Sequence, residues 1–239
     1  MAPVWISHRG YKAAAVENTV AAFDAACAQG FRVLETDLQL TADGHIVLHH
    51  DPGLQRLFNI PRLIATMSRA ELADVSVEGA KLCFLDEFMQ RYAHCEWVFD
   101  IKPETAAGVI GVLTRLATEP RLTQALSRTT RYVTWRKAHE RQLRRVFSDA
   151  RYYARERECW RAGLAVMSGL AALGGIDARK TYSLPPRLGS RQLLDPKIVA
   201  AYKKRGARVV AFLPELEADV RQAIAVGCDE ILTNGAIIT

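Results

Sequence analysis

The stretch VLETDLQL at residues 33–40 is the most informative part of the chain for its fold. Alternation along an extended strand puts Val33, Glu35 and Asp37 on one face and leaves Leu34 and Leu38 on the other. Unpaired buried carboxylates are costly, so two on one face of a buried strand normally hold a cation or share a proton. The stretch therefore predicts a strand that delivers two carboxylates to a site. A plainer alternative stays open, in which one carboxylate pairs with an arginine or the backbone and the other is solvated.

The segment after this strand is too short for a crossover helix. Residues 41–45 read TADGH, whereas parallel strands need a connection of about a dozen or more residues. Asp43-Gly44 is typical of a hairpin turn. We therefore expect the strand to run past the sheet edge and fold back into a second strand, Ile46–His49. This hairpin would bring His49-His50-Asp51 to the same mouth as the two carboxylates.

Short apolar runs alternate with helical segments along the whole chain, which is typical of a parallel sheet covered by helices. The 239 residues approach the roughly 250 of an α/β barrel, although length alone does not exclude two small domains. No linker or composition break divides the sequence, so we expect a single domain over residues 1–239. The predicted strands are Val4–Ser7, Val33–Leu40, Ile46–His49, Trp97–Ile101, Tyr132–Trp135, Arg151–Ala154, a weak one at Thr181–Ser183, Arg208–Phe212 and Glu230–Leu232.

Capping residues, prolines and glycines mark the intervening helices. The predictions are a helix capped by Asn18 that ends at Gly30, a short helix with the capping box Ser68 and Glu71 that ends near Val75, a helix over Glu104–Leu116 after Pro103, a helix from Asp195-Pro196 to Gly206, and a helix over Leu216–Val226 before Gly227.

The composition excludes several classes of protein. Hydrophobic residues make up 49% and charged residues 24%, which is typical of a folded core and not of a disordered chain. The longest apolar stretch, Ala162–Ile176, is shorter than the roughly 20 residues of a membrane-spanning helix. We expect it to pack on the barrel, with a pliable loop at the mouth as the alternative. The polar run Ser7–Gly10 comes too early for a leader peptide, so we expect a cytoplasmic location without integral membrane association.

The cysteines and the positive charge receive plain interpretations. The five cysteines are widely spaced and form no C-x-x-C pair, so they are expected to be reduced and structural, without a disulfide framework or a zinc cage. The net charge of +6 is partly due to the basic segment Arg131–Arg161. We expect that segment to be the solvated face of an outer helix plus strand ends. It has no interleaved aromatics for base stacking, so no nucleic-acid partner is predicted.

Polar side chains follow two further strands. Asp100 and Lys102 share a face at the end of one strand, where a simple salt bridge is the alternative. His8 and Arg9 follow the first strand, as catalytic groups of α/β folds do. Carboxylates without thiolates favour Mg²⁺, Ca²⁺ or Mn²⁺ over zinc. With the two cationic side chains, such a site suits a phosphoryl group. His8 and an imidazole from His49-His50 can exchange the roles of general base and general acid.

A longer ordered pattern resembles a known family. The run His8-Arg9-Gly10, Glu17-Asn18-Thr19, Ala22-Phe23, Gly30, Glu35-x-Asp37, Thr41-x-Asp43-Gly44, His50-Asp51 and Arg56 closely resembles the N-terminal signature of glycerophosphodiester phosphodiesterases. Later motifs of the family are similar to Leu85-Asp86-Glu87-Phe88, Asp100-Ile101-Lys102 and Gly227-x-Asp229-x-Ile231-x-Thr233. The resemblance therefore extends along the whole chain.

The resemblance implies a single-domain TIM-type (β/α)8 barrel that releases an alcohol and glycerol 3-phosphate from a small glycerophosphodiester. By analogy, a glycerol hydroxyl attacks the phosphorus first, and water then opens the cyclic phosphate. The resemblance also implies one divalent cation (Mg²⁺ or Ca²⁺, with Mn²⁺ as a further option) that is held by Glu35, Asp37 and Asp100. It implies that His8 and His50 are the acid/base pair. Substrate contacts are implied for Arg9, Lys102 and Phe212.

Three departures from the family pattern leave alternatives open. Asp100 stands where the family usually has Glu, which shortens the reach by about 1.5 Å and predicts an altered metal preference. Phe212 and Asn234 replace family residues at the glycerol-side wall. The segment 51–81 is short for a substrate cover, which predicts a more open mouth.

The alternatives are a lysophospholipase D or sphingomyelinase D-like enzyme that stops at the cyclic phosphate, and a catalytically weakened phosphate-binding barrel. The sequence predicts no oligomeric state.

Overall fold

The computed structural model describes residues 2–238 and contains a closed barrel of eight parallel strands. The strands are β1 Val4–His8, β2 Val33–Leu40, β3 Ile46–Leu48, β4 Ser76–Val77, β5 Ala80–Lys81, β6 Glu96–Ile101, β7 Thr130–Thr134, β8 Arg151–Tyr153, β9 Lys180–Leu184, β10 Arg187–Leu188, β11 Arg191–Gln192, β12 Arg208–Phe212 and β13 Glu230–Thr233. The barrel order is β1-β2-β6-β7-β8-β9-β12-β13, and β13 pairs with β1 to close it. The predicted TIM-type (β/α)8 fold is confirmed.

Helices connect successive barrel strands on the outside. They are α1 Val20–Ala28, α2 Gln55–Phe58, α3 Arg69–Ala73, α4 Leu85–Arg91, α5 Ala106–Leu116, α6 Pro120–Gln124, α7 Lys137–Val146, α8 Glu156–Met167, α9 Pro196–Lys203 and α10 Glu217–Ala225, with short 3-10 turns at Ile64–Thr66 and Ala171–Gly174 and a π turn at Ala125–Thr129. No helix within residues 2–238 combines the length and apolar character needed to cross a bilayer.

The alternation predicted for the second strand is present in the structure. Val33 belongs to a small apolar cluster inside the barrel with Ile6, Val98 and Val210. Leu34 and its outward-facing neighbours instead pack under the helices, in the larger cluster that covers one side of the barrel. The face of β2 that carries Glu35 and Asp37 therefore points into the barrel, because period-two alternation fixes the direction of every second side chain.

The predicted hairpin is also present, and it extends the barrel at its mouth. β3 pairs antiparallel with the end of β2, with Leu38 opposite Leu48. Gly44 takes the positive φ of 82° that the turn requires. Residues 52–84 follow as a lobe with its own apolar cluster, which includes Leu54, Ile64 and Leu72. The short segment that the sequence suggested as a reduced cover is thus a separately packed flank of the barrel.

The helix predictions need two corrections. Thr19, and not Asn18, caps α1, since its hydroxyl accepts from the backbone N–H of Ala22 at 3.3 Å. Asn18 does not cap this helix. It has a φ of +58°, and its side chain is directed into the barrel mouth. α5 begins at Ala106, two residues later than predicted, because residues 103–105 form a separate turn after β6. The capping box at Ser68 is confirmed.

The basic segment 131–161 is only partly solvated, which corrects the interpretation from sequence. Arg131 is 2% exposed and points into the barrel, where its guanidinium lies 2.7 Å from Glu96 and 3.4 Å from Glu230. A buried arginine needs such partners, since the cost of desolvating an unpaired charge is several kcal/mol or more. The barrel interior thus holds a charge cluster at its amino-terminal end that strand alternation alone did not identify.

Candidate active site

The candidate site lies at the carboxyl-terminal ends of β1, β2 and β6, which are neighbours in the barrel. Register places Asp37 directly opposite Asp100, and His8 directly opposite Glu35. Parallel strands present their carboxyl ends at one mouth, so side chains that the sequence separates by dozens of residues converge there. The structure therefore brings the three predicted metal-binding carboxylates to the same end of the barrel as the first predicted catalytic histidine.

A strained turn after β1 directs Arg9 across this mouth. Arg9 adopts a positive φ of 60°, and its backbone N–H donates to the carbonyl of Glu35 at 3.0 Å. At Gly10, a Cβ would lie 2.6 Å from the backbone of Ala22, so only glycine fits. The guanidinium then lies 3.0 Å from Asp37 and 3.1 Å from Glu17. Such backbone strain persists only where the surroundings hold it in place.

Lys102 lies between two of the carboxylates. Its ammonium is 2.8 Å from Oδ1 of Asp37 and 2.6 Å from Oδ2 of Asp100. The indole N–H of Trp135 donates to the other oxygen of Asp100 at 2.8 Å. Within residues 2–238 the oxygens of Glu35, Asp37 and Asp100 do not come within 4.8 Å of one another as a trio. The Asp/Lys salt bridge that the sequence offered as an alternative is therefore present, within a larger cluster.

The pKa directions follow from burial and from the position of the two cations. Burial raises the pKa of Glu35, and the negative charges of Asp37 and Asp100 raise it further. Burial also raises the pKa of Asp100. The pKa of Asp37 is lowered despite its burial, because Lys102 and Arg9 both contact it. Three buried carboxyl groups therefore share two cations, which favours the neutral form of Glu35.

His8 is buried and held by an amide from the far end of the chain. Its Nδ1 lies 2.7 Å from Oδ1 of Asn234, and its Nε2 lies 4.0 Å from Glu35. Because an amide oxygen only accepts, Nδ1 carries the proton and Nε2 is left as an acceptor that faces the site. Burial, assisted by the charge of Arg9, lowers the pKa of His8 to about 4. A neutral imidazole with a fixed tautomer is suited to accept a proton.

His50 is more exposed and is paired with a carboxylate. Its Nδ1 lies 2.7 Å from Oδ1 of Asp51, and Arg56 contacts the second oxygen of that carboxylate. His50 lines the same cavity as His8. The neighbouring His49 instead turns into the flanking lobe, where it is 1% exposed and packs against Phe58. Only one histidine of the pair therefore reaches the mouth.

The sequence reasoning missed the residues that hold these groups in place. Asn18 donates to Asp37 at 3.0 Å and accepts from the hydroxyl of Thr36 at 2.8 Å. Trp135 binds Asp100, and Asn234 binds His8. In the sequence, Asn18 suits a helix cap and Asn234 departs from the family pattern. Asn234 directly follows the last strand, which was the available signal for its role in the site.

The site opens into a cavity of about 610 Å³ whose walls are largely apolar. Its floor is the apolar interior of the barrel, and one wall is α8. Phe212, predicted to contact substrate, lines it and is 41% exposed. The lining residues include all the predicted site residues (His8, Arg9, Glu35, Asp37, His50, Asp100, Lys102 and Phe212) together with Trp135, Trp160, Leu164, Met167, Leu188 and Leu193.

α8 also decides between the two interpretations of the apolar stretch Ala162–Ile176. Ala162 is fully buried against the barrel, as the packing interpretation requires. Gly163, Leu164 and Met167 line the cavity, and Leu164 is 56% exposed. The stretch therefore both packs on the barrel and forms part of the mouth.

One known protein family matches this chain over nearly its whole length. The sequence profile of the glycerophosphoryl diester phosphodiesterase family matches residues 8–236. A glycerophosphodiester phosphodiesterase from Caldanaerobacter subterraneus is 24% identical over 96% of this chain and 93% of its own length. A probable glycerophosphodiester phosphodiesterase 1 from Mycobacterium tuberculosis is 41% identical, but the match covers only 30% of this chain and 27% of that protein.

Solved structures share the fold over nearly the whole chain. The glycerophosphoryl diester phosphodiesterase domain of a Mycobacterium tuberculosis protein superimposes with a TM-score of 0.79, at 16% identity, over 99% of this chain and 97% of that one. A phosphodiesterase from Oleispira antarctica, solved with its product sn-glycerol-3-phosphate, gives a TM-score of 0.74 at 20% identity, over 98% and 94% of the two chains. The resemblance inferred from the motifs is thus confirmed by a profile match over nearly all of the sequence, and the chain belongs to the glycerophosphoryl diester phosphodiesterase family.

Proposed function

We propose that this protein hydrolyses small glycerophosphodiesters to glycerol 3-phosphate and an alcohol. The observation that carries the proposal is the convergence of His8 and His50 on one cavity with Arg9 and Lys102. Two cationic side chains suit the charge of a phosphodiester, and two imidazoles supply the proton acceptor and donor that ester cleavage needs. Membership in the family supports the same reaction class, a phosphoric diester hydrolase.

The chemistry of the donor set, although not the present spacing of its oxygens, fits one divalent cation of the hard type. Glu35, Asp37 and Asp100 offer only oxygen ligands, which favours Mg²⁺, Ca²⁺ or Mn²⁺. Burial and the negative charges of Asp37 and Asp100 raise the pKa of Glu35, and a bound cation would favour its ionised form. These three residues would hold the cation, and it would supply positive charge that polarises the phosphoryl oxygens.

The histidines have complementary surroundings for their proposed roles. Nε2 of His8 is the free acceptor, because Asn234 engages Nδ1. The Asp51 carboxylate binds Nδ1 of His50 at 2.7 Å and holds the ring in place, as a carboxylate partner does in other acid/base pairs. His8 therefore accepts the proton of the attacking hydroxyl, and His50 donates to the leaving alcohol. The roles reverse if a cyclic phosphate is then opened by water.

Release of glycerol 3-phosphate from glycerophosphocholine and glycerophosphoethanolamine tests this proposal. Chelator-stripped protein should be inactive and should regain turnover when Mg²⁺, Ca²⁺ or Mn²⁺ is added singly. His8→Ala and His50→Ala should each lower kcat by at least about 10²-fold, the lower range for losing a positioned acid or base. His45→Ala is the matched control, because His45 is exposed on the hairpin turn outside the cavity. Turnover near that of the wild type in both cavity variants would refute the assigned roles.

One observation favours a second candidate function, a lysophospholipase D-like reaction. The cavity has an apolar wall, with Trp160 and Leu164 on α8, and this wall suits an acyl chain better than it suits a short polar alcohol. Lysophospholipase D GDPD1 from Rattus norvegicus is 33% identical over 44% of this chain and 34% of its own length. Leu164→Gln should then lower kcat/KM for lysophosphatidylcholine at least about tenfold and leave glycerophosphocholine unaffected. Phosphorus NMR of the product separates hydrolysis from a cyclic phosphate.

The remaining alternative and the cellular location stay predictions. A phosphate-binding barrel without turnover would retain affinity for glycerol 3-phosphate and show no product with either substrate class. The cytoplasmic location and the absence of a nucleic-acid partner rest on the sequence patterns alone, and fractionation and a binding assay with labelled oligonucleotides would check them.

A further inference from the structure

A second cluster of metal-binding side chains lies at the opposite end of the barrel from the candidate active site. Cys27 is in the last turn of α1, and His94 and Cys95 immediately precede β6. One ligand atom from each residue lies within 4.8 Å of the others. The two sulfurs are 3.9 Å apart. Because strands begin at this end and the active site lies where they finish, the two sites are separate.

We propose that Cys27, His94 and Cys95 form a binding site for a thiophilic divalent cation, of which Zn²⁺ is the best fit. With Zn–S bonds of about 2.3 Å, two sulfurs on a tetrahedral zinc lie about 3.8 Å apart. The observed sulfur separation of 3.9 Å matches that edge of the tetrahedron. It is also far longer than a disulfide bond, and both thiols are free.

Backbone hydrogen bonds hold the two segments that carry the cysteines. The N–H of Cys95 donates to the carbonyl of Tyr92 at 2.9 Å, and the carbonyl of Cys27 accepts from the N–H of Gly30 at 3.0 Å. The N–H of Glu96 binds the carbonyl of Arg32 at 2.9 Å, which ties the start of β6 to the segment after α1. Ligands on such elements need little reorganisation on binding.

Exposure provides an entry route and room for a fourth ligand. Cys95 is 4% exposed, whereas Cys27 is half-buried and His94 is exposed. The imidazole of His94 is therefore free to move the short distance that tetrahedral coordination requires. The open side leaves the fourth position to water. Ligand chemistry separates this site from the carboxylates at the mouth, because thiolates select zinc whereas carboxylates alone favour harder cations.

Cobalt(II) binding to the reduced full-length protein tests the proposal. Co²⁺ should produce a sulfur-to-cobalt charge-transfer absorption that saturates at about one ion per chain, and Zn²⁺ should displace it. Cys27→Ser should abolish the band, and His94→Ala should weaken binding by about tenfold or more. Zn²⁺ should also raise the thermal midpoint of the wild type but not that of Cys27→Ser.

Two controls locate the signal. Cys228→Ser removes a buried cysteine elsewhere in the fold and should leave the band unchanged. Asp37→Asn alters the carboxylate site and should also leave it unchanged. Cys27 is half-buried, so its serine variant is expected to fold, and slower alkylation of Cys27 by iodoacetamide in the presence of Zn²⁺ reports on the unmodified chain. Absence of a thiolate–cobalt band in the reduced wild type, or an equal band in Cys27→Ser, would overturn the proposal.

Discussion

Replacement of Lys102 by methionine is the most direct probe of the electrostatics at the mouth. The Lys102 ammonium lies 2.8 Å from Asp37 and 2.6 Å from Asp100, and the three side chains are only 9%, 1% and 12% exposed. Removal of one partner from a buried ion pair typically costs about 3–5 kcal/mol. In a chain of this length each kcal/mol lowers the melting temperature by about 2–4 °C, so Lys102→Met should melt roughly 6–20 °C below the wild type without divalent cations.

The sign of the pH effect follows from which state binds more protons. Without the ammonium, the pKa of the buried carboxyls Asp37 and Asp100 should rise above that of the unfolded chain. The native variant then binds more protons than its unfolded state, so its stability falls as pH rises. The loss of folding stability relative to the wild type is therefore smallest in acid, where protonation neutralises the carboxyls. This loss grows as pH increases through their raised pKa.

Thermal and denaturant melts in chelator, with and without added cation, measure these effects. Lys203→Met is the matched control, because its ammonium pairs with Asp229 at 3.3 Å but the side chain is 41% exposed. An exposed pair contributes about 0–1 kcal/mol. A divalent cation should stabilise Lys102→Met more than the wild type, since two carboxylates have lost their counter-ion. If Lys102→Met and Lys203→Met lose equal stability in chelator, the reasoning about the buried cluster is wrong.

Two further substitutions address the positioning of His8 and the stability of the barrel. Asn234→Ala should lower kcat by up to about 10²-fold with little change in melting temperature, because the tautomer of His8 is no longer held. Asn234→Asp should instead raise the pKa of His8 and move the acid limb of the pH–rate profile to higher pH. Arg131→Met should cost roughly 3 kcal/mol in a denaturant melt, since Glu230 is 0% exposed and loses a cationic partner, and Glu230→Gln in the same background should recover part of that loss. Full stability of Arg131→Met, or unchanged turnover of Asn234→Ala, would contradict these expectations.

Local patterns predicted the alternation of strands and helices and the direction of the carboxylates on β2, and the family resemblance added the closed barrel. Period-two alternation decides which side of β2 holds Glu35 and Asp37, and the short TADGH turn requires a hairpin. The carboxyl ends of parallel strands then meet at one mouth whatever their separation along the chain. Even the weakly marked strand at 181–183 forms as β9, because its neighbours on both sides supply the ladder.

Contacts between distant residues could not be predicted in this way. Asn234 reaches His8 across 226 positions, and Cys27 meets Cys95 across 68. Spacing along the chain gave no indication that Cys27 and Cys95 meet, because helix packing sets the distance between their sulfurs. All five cysteines are free thiols, as the sequence predicted. Asn18 was misassigned as a cap since asparagine suits both a helix start and a left-handed turn, and only the fold decides between them.

The side chains inside the barrel form layers, and the layer that affects folding stability is separate from the layer that carries the candidate chemistry. The inward positions form a charged layer at the amino end, with Arg131 and Glu230, and a second charged layer at the mouth, with Asp37 and Asp100. Apolar side chains from the cluster around Ile6 lie between them. At the amino end, the charge of Arg131 is balanced by carboxylates of the same layer. Its removal should therefore change the folding free energy and leave the cations at the mouth in place. Arg131→Met should therefore retain nearly the wild-type kcat at temperatures where it is folded, whereas Lys102→Met should lose both stability and turnover.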